Sequence, residues 1–593
     1  MGLLERAQTG WTELQALGRV LAGVPALNPL GHRSFAQLLQ ELAAHAPHRV
    51  GLAYQQERWT WQEINERANR YAHFALRRRL RRGDVVALLM DSRPDYLFIT
   101  AGLNRLGVIS ALINTHLTGP ALVHALKVAK PKALLVGSEH VEALSDVLHE
   151  LPRSSTRNVW VQLDPDHPGG DFDFRLINDE VAACSAEEPH RELPQTMAPM
   201  CYIYTSGTTG LPKAAIISNQ RALEAGLILG RLVGELTPQD ALYLTLPLYH
   251  SAGFLAAWGA VLMCGATLAL RRKFSASQFW DDVHDFDATV FIYIGELCRY
   301  LLSQPPTPRE RHHHLRLCMG NGMRADIWRR FQSRFRIPLI REYYGATEGN
   351  LGLVNLEGRP GMIGRLLLPG IAIVKCDPLT GEIVRNGGGR CESIAVGERG
   401  LLIGRINLLT SFDGYLDRAA TRKKIVRDVF RRGDAYFNTG DVVQLHAGGW
   451  VSFADRVGDT FRWKGENVST HEVAEILSRA KGLQEANVYG VPLNGTEGRV
   501  GMASVVVTAG FDLTAFARYV TNNLASYQRP YFLRVVPDMR VTGTFKHQKH
   551  DYRSEGYDPS RVRDPLYYLD GSQYVPIDPA LYGRLSAGEI GPR

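Results

Sequence analysis

Cysteine is scarce in this chain and shows no pairing pattern. The seven cysteines among 593 residues are scattered, and none forms a Cys-x-x-Cys pair. An odd, unpaired set argues against a disulfide framework and a zinc site, and it fits a reducing compartment. The remaining composition is ordinary for a globular protein, with 45% hydrophobic and 22% charged residues.

A clear membrane-spanning segment is also missing. Residues 251–270 form a run of twenty positions without a charge, but Gly253, Gly259 and Gly265 interrupt it, so we expect a short buried helix and a strand. Residues 1–24 have apolar side chains at helical spacing and lack the basic start and cleavage site of a signal peptide. This pattern predicts an amphipathic helix that packs on the protein or lies on a membrane surface.

The length and charge of the chain restrict its architecture and partners. A chain of 593 residues is too long for one hydrophobic core, so several subdomains are expected. The net charge of +8 suits anionic partners such as nucleotides, coenzyme A or a lipid surface. A helix capped by Ser34, a helix from Trp61 through Arg82 and a strand over Val85–Met90 alternate, which predicts an α/β fold with a mainly parallel sheet.

Residues 204–213 form the most distinctive segment of the chain. They read Tyr-Thr-Ser-Gly-Thr-Thr-Gly-Leu-Pro-Lys. Glycines let backbone N–H groups turn toward an anion, hydroxyls add donors and the lysine adds positive charge, so the pattern predicts a phosphate-binding loop. A Walker A motif cannot be aligned with it, and a flexible linker is the alternative. The candidate ligands are Thr205, Ser206, Gly207, Thr208, Thr209, Gly210 and Lys213.

Two further segments have the residue types of a ligand site. The pair at 249–250 precedes the charge-free stretch, where a core histidine is the alternative to a pocket residue. The segment 320–322 lets backbone approach a flat ligand closely, although a simple turn has the same composition. The histidine tract 312–314 is expected at the surface, because three consecutive side chains point in different directions. The candidate residues are Tyr249, His250, Gly320, Asn321 and Gly322.

With residues 342–349, the chain resembles the adenylate-forming superfamily of acyl-CoA synthetases, luciferases and peptide-synthetase adenylation domains. These residues match its Tyr-Gly-x-Thr-Glu motif. The resemblance implies that Tyr344 stacks on adenine, Thr347 donates to a phosphate and Glu348 binds Mg²⁺. It also places the 249–250 pair in the acyl pocket and the 320–322 segment at the adenine. The ATP-binding residues implied here are Tyr343, Tyr344, Gly345, Thr347 and Glu348, with Glu348 and Thr205 also counted as catalytic.

The resemblance continues through the second half of the chain. Asp441, in Asn-Thr-Gly-Asp, is the expected acceptor for both ribose hydroxyls, and Arg456 is expected to contact ribose or phosphate. Segment 541–549 resembles the motif that bears the adenylation lysine, which implies Lys546 as the catalytic residue and Lys549 as the alternative.

Residues 455–470 and 563–570 resemble the fatty acid transport protein branch, the very long-chain acyl-CoA synthetases. Gly458 stands where many relatives carry Asp or Lys at the hinge, and glycine can absorb a large change in φ and ψ. The implied domains are an N-terminal extension (1–33), a large AMP-binding domain of flanked β-sheets (34–455), a hinge (456–460) and a small mobile α+β domain (461–593). The implied hinge and coenzyme A residues are Gly458, Lys464, Gly465, Glu466 and Asn467.

These motifs predict an ATP-dependent ligase that joins a long-chain or very long-chain fatty acid to coenzyme A through an acyl-adenylate, coupled to fatty acid uptake. ATP, Mg²⁺ and coenzyme A are the expected cofactors and co-substrates, with no nucleic acid partner. The expected location is the cytoplasm or the cytoplasmic face of a membrane. The sequence does not fix the oligomeric state, and a homodimer is one option. Alternatives are a bile-acid or aryl-CoA ligase, a ligase that loads a carrier protein, and an uptake protein independent of catalysis.

Overall fold

The computed structural model describes Gly18, residues 27–167, 173–206, 211–366, 369–377, 379–408, 410–464 and 466–494, Thr496, and residues 498–542 and 547–591. The chain divides into two compact units. Unit 1 comprises Met1–Met323, Ile327–Pro360 and Ile406–Ile425, and unit 2 comprises Arg324–Asp326, Gly361–Arg405 and Val426–Arg593. The expected amphipathic helix over residues 1–24 lies outside the described residues, apart from Gly18.

Unit 1 contains two sheets built mainly from parallel strands. Their order is β15-β14-β13-β12-β10-β11-β1-β2 in the first and β7-β6-β5-β3-β4-β8-β9 in the second. The strands are Val50–Tyr54 (β1), Glu57–Thr60 (β2), Val85–Leu89 (β3), Ile109–Leu112 (β4), Ala133–Gly137 (β5), Val159–Gln162 (β6), Arg175–Leu176 (β7), Pro199–Ser206 (β8), Pro212–Ser218 (β9), Ala241–Leu244 (β10), Thr267–Leu270 (β11), Val290–Ile294 (β12), Leu317–Asn321 (β13), Leu339–Gly345 (β14) and Gly352–Asn355 (β15).

Helices connect these strands, and the apolar strands between them are buried. This is the arrangement that a parallel sheet requires, so the predicted α/β fold is confirmed. The α-helices are Phe35–His45, Trp61–Arg77, Pro94–Arg105, Gly119–Ala129, Val141–Leu148, Arg153–Thr156, Asn178–Ala182, Asn219–Leu227, Gly259–Cys264, Phe279–Asp285, Gly295–Ser303, Ala325–Phe335 and Arg418–Lys423, with π-helical turns at Ile228–Val233 and Ala252–Trp258 and 3₁₀ turns at Ser138–His140 and Pro308–Arg311.

Unit 2 contains three sheets. A six-stranded sheet has the order β16-β21-β20-β18-β17, with β19 paired to β20; β22 and β23 form a hairpin; and β24 to β28 form a five-stranded sheet in chain order. The strands are Gly364–Arg365 (β16), Ile371–Val374 (β17), Arg399–Arg405 (β18), Ile425–Arg427 (β19), Ala435–Leu445 (β20), Trp450–Arg456 (β21), Phe461–Trp463 (β22), Glu466–Val468 (β23), Leu483–Val491 (β24), Val500–Val507 (β25), Pro530–Val535 (β26), Leu566–Asp570 (β27) and Gln573–Pro576 (β28). The helices are Thr470–Leu477, Leu513–Asn523, His550–Glu555 and Pro579–Ser586, with a 3₁₀ turn at Ala447–Gly449.

The helix starts are predicted correctly, but one helix end is wrong. Ser34 accepts a hydrogen bond from the N–H of Gln37 at 3.3 Å, as the cap pattern predicts. The helix that starts at Trp61 ends at Arg77 instead of Arg82. Arg79 adopts a φ of +57°, which turns the chain so that Leu80 is buried. The basic cluster therefore lies on a helix end and the turn that follows it.

The charge-free stretch folds as predicted, into a π-helical turn, a short helix and β11. Gly265 ends the helix with a φ of +67°, a conformation that glycine adopts without strain. Among the described residues, no helix is both long and apolar enough to cross a bilayer. The expectation for the histidine tract is wrong at one position, because His313 stacks on Trp280 with ring centroids 5.1 Å apart.

Candidate active site

The phosphate-loop candidate connects two antiparallel strands at the edge of the seven-stranded sheet. Thr205 of β8 lies opposite Lys213 of β9, so a hydroxyl and a lysine flank the connection. Tyr204 donates a hydrogen bond to the carbonyl of Ala125 at 2.8 Å, which fixes the end of β8. Four predicted ligands and one side chain lie outside the described part of the chain, and their roles stay predictions. They are Gly207, Thr208, Thr209, Gly210 and the side chain of Ser206.

Thr347 and Glu348 lie just after the end of β14, and two residues that the sequence analysis missed contact them. The phenol of Tyr415 donates a hydrogen bond to Glu348 Oε1 at 2.7 Å. The Thr205 side chain lies next to the same phenol, and its hydroxyl donates to the Lys213 carbonyl at 3.5 Å. Thr347 Oγ1 lies 2.9 Å from Ser251 Oγ. Thr205 of the 205–213 segment and Glu348 of the 342–349 segment were predicted from separate motifs, and both lie at the Tyr415 phenol within unit 1.

The signals for these two residues differ. Ser251 directly follows the predicted pocket residue His250, so adjacency alone could have added it to the site. Tyr415 lies 67 positions from Glu348, in a segment without helical or strand periodicity. An aromatic residue in such a segment is ordinarily assigned to packing, and only the folded chain brings its hydroxyl to the carboxylate.

The adenine-segment candidate is held by a buried glutamate. β13 ends at Asn321, and Gly322 follows with a φ of +76°. Glu342 on the neighbouring β14 accepts a hydrogen bond from the backbone N–H of Met323 at 2.6 Å and another from the Tyr293 hydroxyl at 3.3 Å. Burial raises the pKa of Glu342 to about 8, partly offset by these two hydrogen bonds. Sequence reasoning did not assign this residue.

Close packing explains the glycines of this segment. A Cβ added to Gly320 would collide with the backbone carbonyl of Tyr293, and one added to Gly295 would collide with the backbone of Gly322. Glycine at 295 and 320 therefore allows the ends of β12 and β13 to pack closely against each other. That role is compatible with ligand binding but does not require it.

The three residues at 343–345 complete the end of β14. Tyr343 pairs with Val354, and Tyr344 pairs with Leu353 of β15, so both rings project from a paired strand. The Tyr343 hydroxyl is buried and has no hydrogen-bond partner among the described residues, and burial raises its pKa. Gly345 is exposed. Adenine stacking by Tyr344 stays a prediction.

The acyl-pocket candidate lies at the start of the π-helical turn. The Leu248 N–H donates to Ser92 Oγ at 2.9 Å, and the N–H of Ala252 donates to His250 Nδ1 at 3.2 Å. Tyr249 is buried, and its hydroxyl has no partner among the described residues. Burial, and next the nearby Asp91 charge, raise the pKa of Tyr249. An unpaired buried hydroxyl is costly, which makes this position a candidate for a ligand contact.

In unit 2, the ribose candidate is an ion pair across two strands. Asp441 of β20 lies opposite Arg456 of β21, and the Arg456 Nε lies 3.3 Å from Asp441 Oδ1. The Asp441 N–H donates to Thr439 Oγ1 at 3.0 Å, which fixes the preceding turn. The predicted pair is therefore adjacent, although its contact with ribose stays a prediction.

The hinge candidates in unit 2 lie after this strand pair. Gly458 has a φ of +87°, and the space around its Cα is open. Lys464 has a φ of +52° at the turn between β22 and β23, and its Nζ lies 5.9 Å from the centre of the Tyr531 ring. Glu466 and Asn467 are exposed on β23. Gly465 lies outside the described residues.

The two lysine candidates differ in what the structure describes. Lys546 lies outside the described residues. Lys549 donates hydrogen bonds to Asp459 Oδ2 at 3.1 Å and to Thr470 Oγ1 at 2.6 Å. Its ammonium therefore connects the end of this segment to the residues that follow Gly458, which is a structural role.

Comparison with protein families identifies the class. The model described as "AMP-binding enzyme" matches residues 39–401, and the one described as "AMP-binding enzyme C-terminal domain" matches residues 472–546. The chain therefore belongs to the AMP-binding enzyme family. The large N-terminal and small C-terminal domains of the predicted fold agree with these two matches.

The most informative relatives place the chain in one branch of this family. It is 41% identical to long-chain fatty acid transport protein 6 of Mus musculus over 558 residues, covering 92% of this chain and 89% of the relative. It is 40% identical to long-chain fatty acid transport protein 2 of Rattus norvegicus, covering 93% and 90%. Within the family, the chain thus belongs to the long-chain fatty acid transport protein branch.

Solved structures show the same fold. The anthranilate CoA ligase AuaEII in complex with anthranoyl-AMP aligns with a TM-score of 0.77 at 21% identity, covering 89% of this chain and 97% of that one. ATP-bound MatB from Rhodopseudomonas palustris aligns with a TM-score of 0.73 at 23% identity, covering 88% and 98%. At these identities the similarity establishes the fold and leaves the substrate open.

Proposed function

We propose that this protein is an ATP-dependent ligase that joins long-chain or very long-chain fatty acids to coenzyme A. The observation that carries the proposal is the linkage of Thr205, Tyr415 and Glu348. It joins two motifs of the family at one point in unit 1. The names of the relatives support a fatty acid as the substrate.

The reaction has two steps. A carboxylate oxygen of the fatty acid attacks the α-phosphorus of ATP, the bond to the β-phosphate breaks, and pyrophosphate leaves. The thiol of coenzyme A then loses its proton to solvent and its sulfur attacks the acyl carbon; the bond from that carbon to the AMP oxygen breaks, and AMP leaves with that electron pair. In the first step the protein mainly positions the reactants and neutralises charge.

The residues that bear this work are assigned by motif. The 205–213 segment holds the phosphates through backbone N–H groups, hydroxyls and Lys213. Asp441 accepts from the ribose hydroxyls, and Lys546 neutralises charge on the phosphates during adenylation. Residues 249–250 line the acyl pocket. Residues 456–460 act as the hinge between the domains, and residues 464–467 serve the thioester step.

The residues around Glu348 suit Mg²⁺. The neighbouring groups are a carboxylate and hydroxyls, an all-oxygen set that a hard cation prefers. Glu348 is the residue that would hold the ion. When bound there, Mg²⁺ would supply positive charge that stabilises the departing pyrophosphate.

One experiment tests the proposal. Purified protein is given ATP, Mg²⁺, coenzyme A and fatty acids from medium to very long chain, and AMP and acyl-CoA are measured together. Equal amounts of AMP and acyl-CoA are expected, with chain preference read from the same data. AMP without acyl-CoA would favour a ligase that loads another acceptor. Turnover only with bile acids or aryl acids would show that the substrate is not a fatty acid.

Fatty acid uptake is the second candidate function, favoured by the names of the relatives. Conversion to the thioester traps the acid, so uptake would follow ligase activity at the cytoplasmic face of a membrane. Cells that express a Lys546→Ala variant test this dependence. Undiminished uptake with that variant would show a transport function independent of catalysis.

A further inference from the structure

The Tyr415 phenol stands between two residues of the proposed ATP site. Its hydroxyl donates to Glu348 Oε1 at 2.7 Å, and the Thr205 side chain, whose hydroxyl donates to the Lys213 carbonyl at 3.5 Å, lies next to the same phenol. Only 6% of the Tyr415 surface is exposed. A phenol carries its proton at neutral pH and an ionised carboxylate can only accept, so Tyr415 is the donor in this pair.

The backbone around Tyr415 is fixed to the edge of β9. The N–H of Ile216 donates to the carbonyl of Gly414 at 2.9 Å, and the N–H of Leu416 donates to the carbonyl of Ala214 at 3.0 Å. These two bonds hold Tyr415 opposite Ala215, next to the strand that carries Lys213.

A second set of bonds closes the turn that follows. The Tyr415 N–H donates to Thr421 Oγ1 at 2.9 Å, and the Thr421 hydroxyl lies 3.1 Å from the Tyr415 carbonyl. Upstream, the N–H of Ser218 donates to Asp413 Oδ2 at 2.9 Å. The ring therefore projects from a backbone with defined partners on both sides, and its hydroxyl has a defined position.

We propose that Tyr415 is a positioning residue that orients the Glu348 carboxylate for Mg²⁺–ATP and aligns the Thr205 hydroxyl with it. This inference rests on the proposed function. A hydrogen bond to one carboxylate oxygen fixes the rotation of the group and thus the direction of the other oxygen. Outer partners of this kind commonly change metal affinity by about 10- to 100-fold when they are lost.

The test replaces one oxygen atom. Tyr415→Phe keeps the ring and removes the hydroxyl, and Tyr243→Phe is the matched control, since Tyr243 is buried in unit 1 and donates to Asp282 Oδ2 at 2.6 Å. ATP binding is measured by calorimetry over a series of Mg²⁺ concentrations, without fatty acid or coenzyme A. The melting temperature is recorded for each variant without ligand.

The expected result is a rise of about tenfold or more in the Mg²⁺ concentration needed for ATP binding by Tyr415→Phe, with no such rise for the control. A Glu348→Gln variant, alone and with Tyr415→Phe, completes a double-mutant cycle, and the two losses should be strongly non-additive. Binding of Mg²⁺–ATP by Tyr415→Phe as by the wild type would overturn the inference, and so would additive losses.

The same data separate this inference from the proposed function. If the wild type binds Mg²⁺–ATP but forms no fatty acyl-CoA, the proposed substrate or acceptor is wrong, and the role of Tyr415 is still decided by binding. If the wild type forms acyl-CoA and Tyr415→Phe has an unchanged Mg²⁺ dependence, only the role of Tyr415 is wrong. If the wild type binds no ATP with Mg²⁺, both are overturned.

Discussion

The carboxyl group of Glu342 accepts a hydrogen bond from the backbone N–H of Met323 at 2.6 Å. This bond ties the segment predicted to contact adenine to the neighbouring strand β14. Because the carboxyl group is fully buried, its protonation state is coupled to the stability of unit 1.

Glu342→Gln should change how stability depends on pH. An unfolded glutamate titrates near 4.5, whereas burial raises the pKa of Glu342 in the folded protein to about 8. Its contribution to stability is therefore full below pH 4.5 and is lost as pH rises through 8. Relative to the variant, the wild type should lose up to about 1.4 kcal/mol per pH unit between pH 5 and 8.

Melting temperatures of both proteins at pH 5, 6, 7 and 8 measure this difference. The same substitution at the exposed Glu57 is the control for the change of carboxyl to amide outside the core. A constant difference for Glu342→Gln would mean that the folded carboxyl is not protonated in this range.

Asp441→Asn should reduce discrimination between ATP and 2′-deoxy-ATP. A carboxylate that accepts from both ribose hydroxyls loses one bond with the deoxy nucleotide, at a cost of about 1 to 3 kcal/mol. The wild type should therefore bind ATP about 5- to 150-fold more tightly than deoxy-ATP. Calorimetric titration of both proteins with both nucleotides tests the assignment, and equal discrimination by wild type and variant would contradict it.

Gly458→Ala should lower the rate of acyl-CoA formation by more than its loss of stability explains. Gly458 and Gly433 have φ values of +87° and +86°, and both have open space around them in unit 2. Alanine at either position is strained by about 1 to 2 kcal/mol. If residues 456–460 form a hinge, only Gly458→Ala should lower the rate of acyl-CoA formation. Equal rates for the two variants, at equal loss of melting temperature, would argue against this hinge.

Lys546→Ala and Lys549→Ala should fail in different ways. Loss of Lys546 should nearly abolish adenylation and spare thioester formation from supplied acyl-adenylate. Loss of Lys549 should lower the melting temperature, because it removes the contacts with Asp459 and Thr470. Measuring the two half-reactions and the melting temperature separates these outcomes. Equal loss of both half-reactions in Lys546→Ala would contradict its assignment.

The sequence predicted elements whose causes are local. The cap at Ser34 and the break at Gly265 follow from single side chains and backbone conformations, and both are confirmed. The helix end at Arg77 was predicted five residues too late, because the chain turns at Arg79 to bury Leu80 in the tertiary core. Helical pattern alone does not contain that information.

The site shows the same division. The order of the motifs assigned Thr205, Thr347 and Glu348 to the site from the sequence. In unit 1, Ser251 contacts Thr347 and Tyr415 contacts Glu348, and neither contact was predicted. The domain boundaries at 34, 456 and 461 stay predictions, since the compact units divide the chain at other positions.

By itself, the sequence determined the family, the alternation of helices and strands, and which segments carry ligand-binding residue types, because these depend on residue identity and short-range order. The tertiary structure alone decided which side chains meet. Glu342 reaches the backbone of Met323 through the pairing of β13 with β14, and Tyr415, which is bridged to Ala215 of β9, reaches Glu348 from 67 positions away in the chain. Such contacts depend on register and burial, which a linear pattern does not encode.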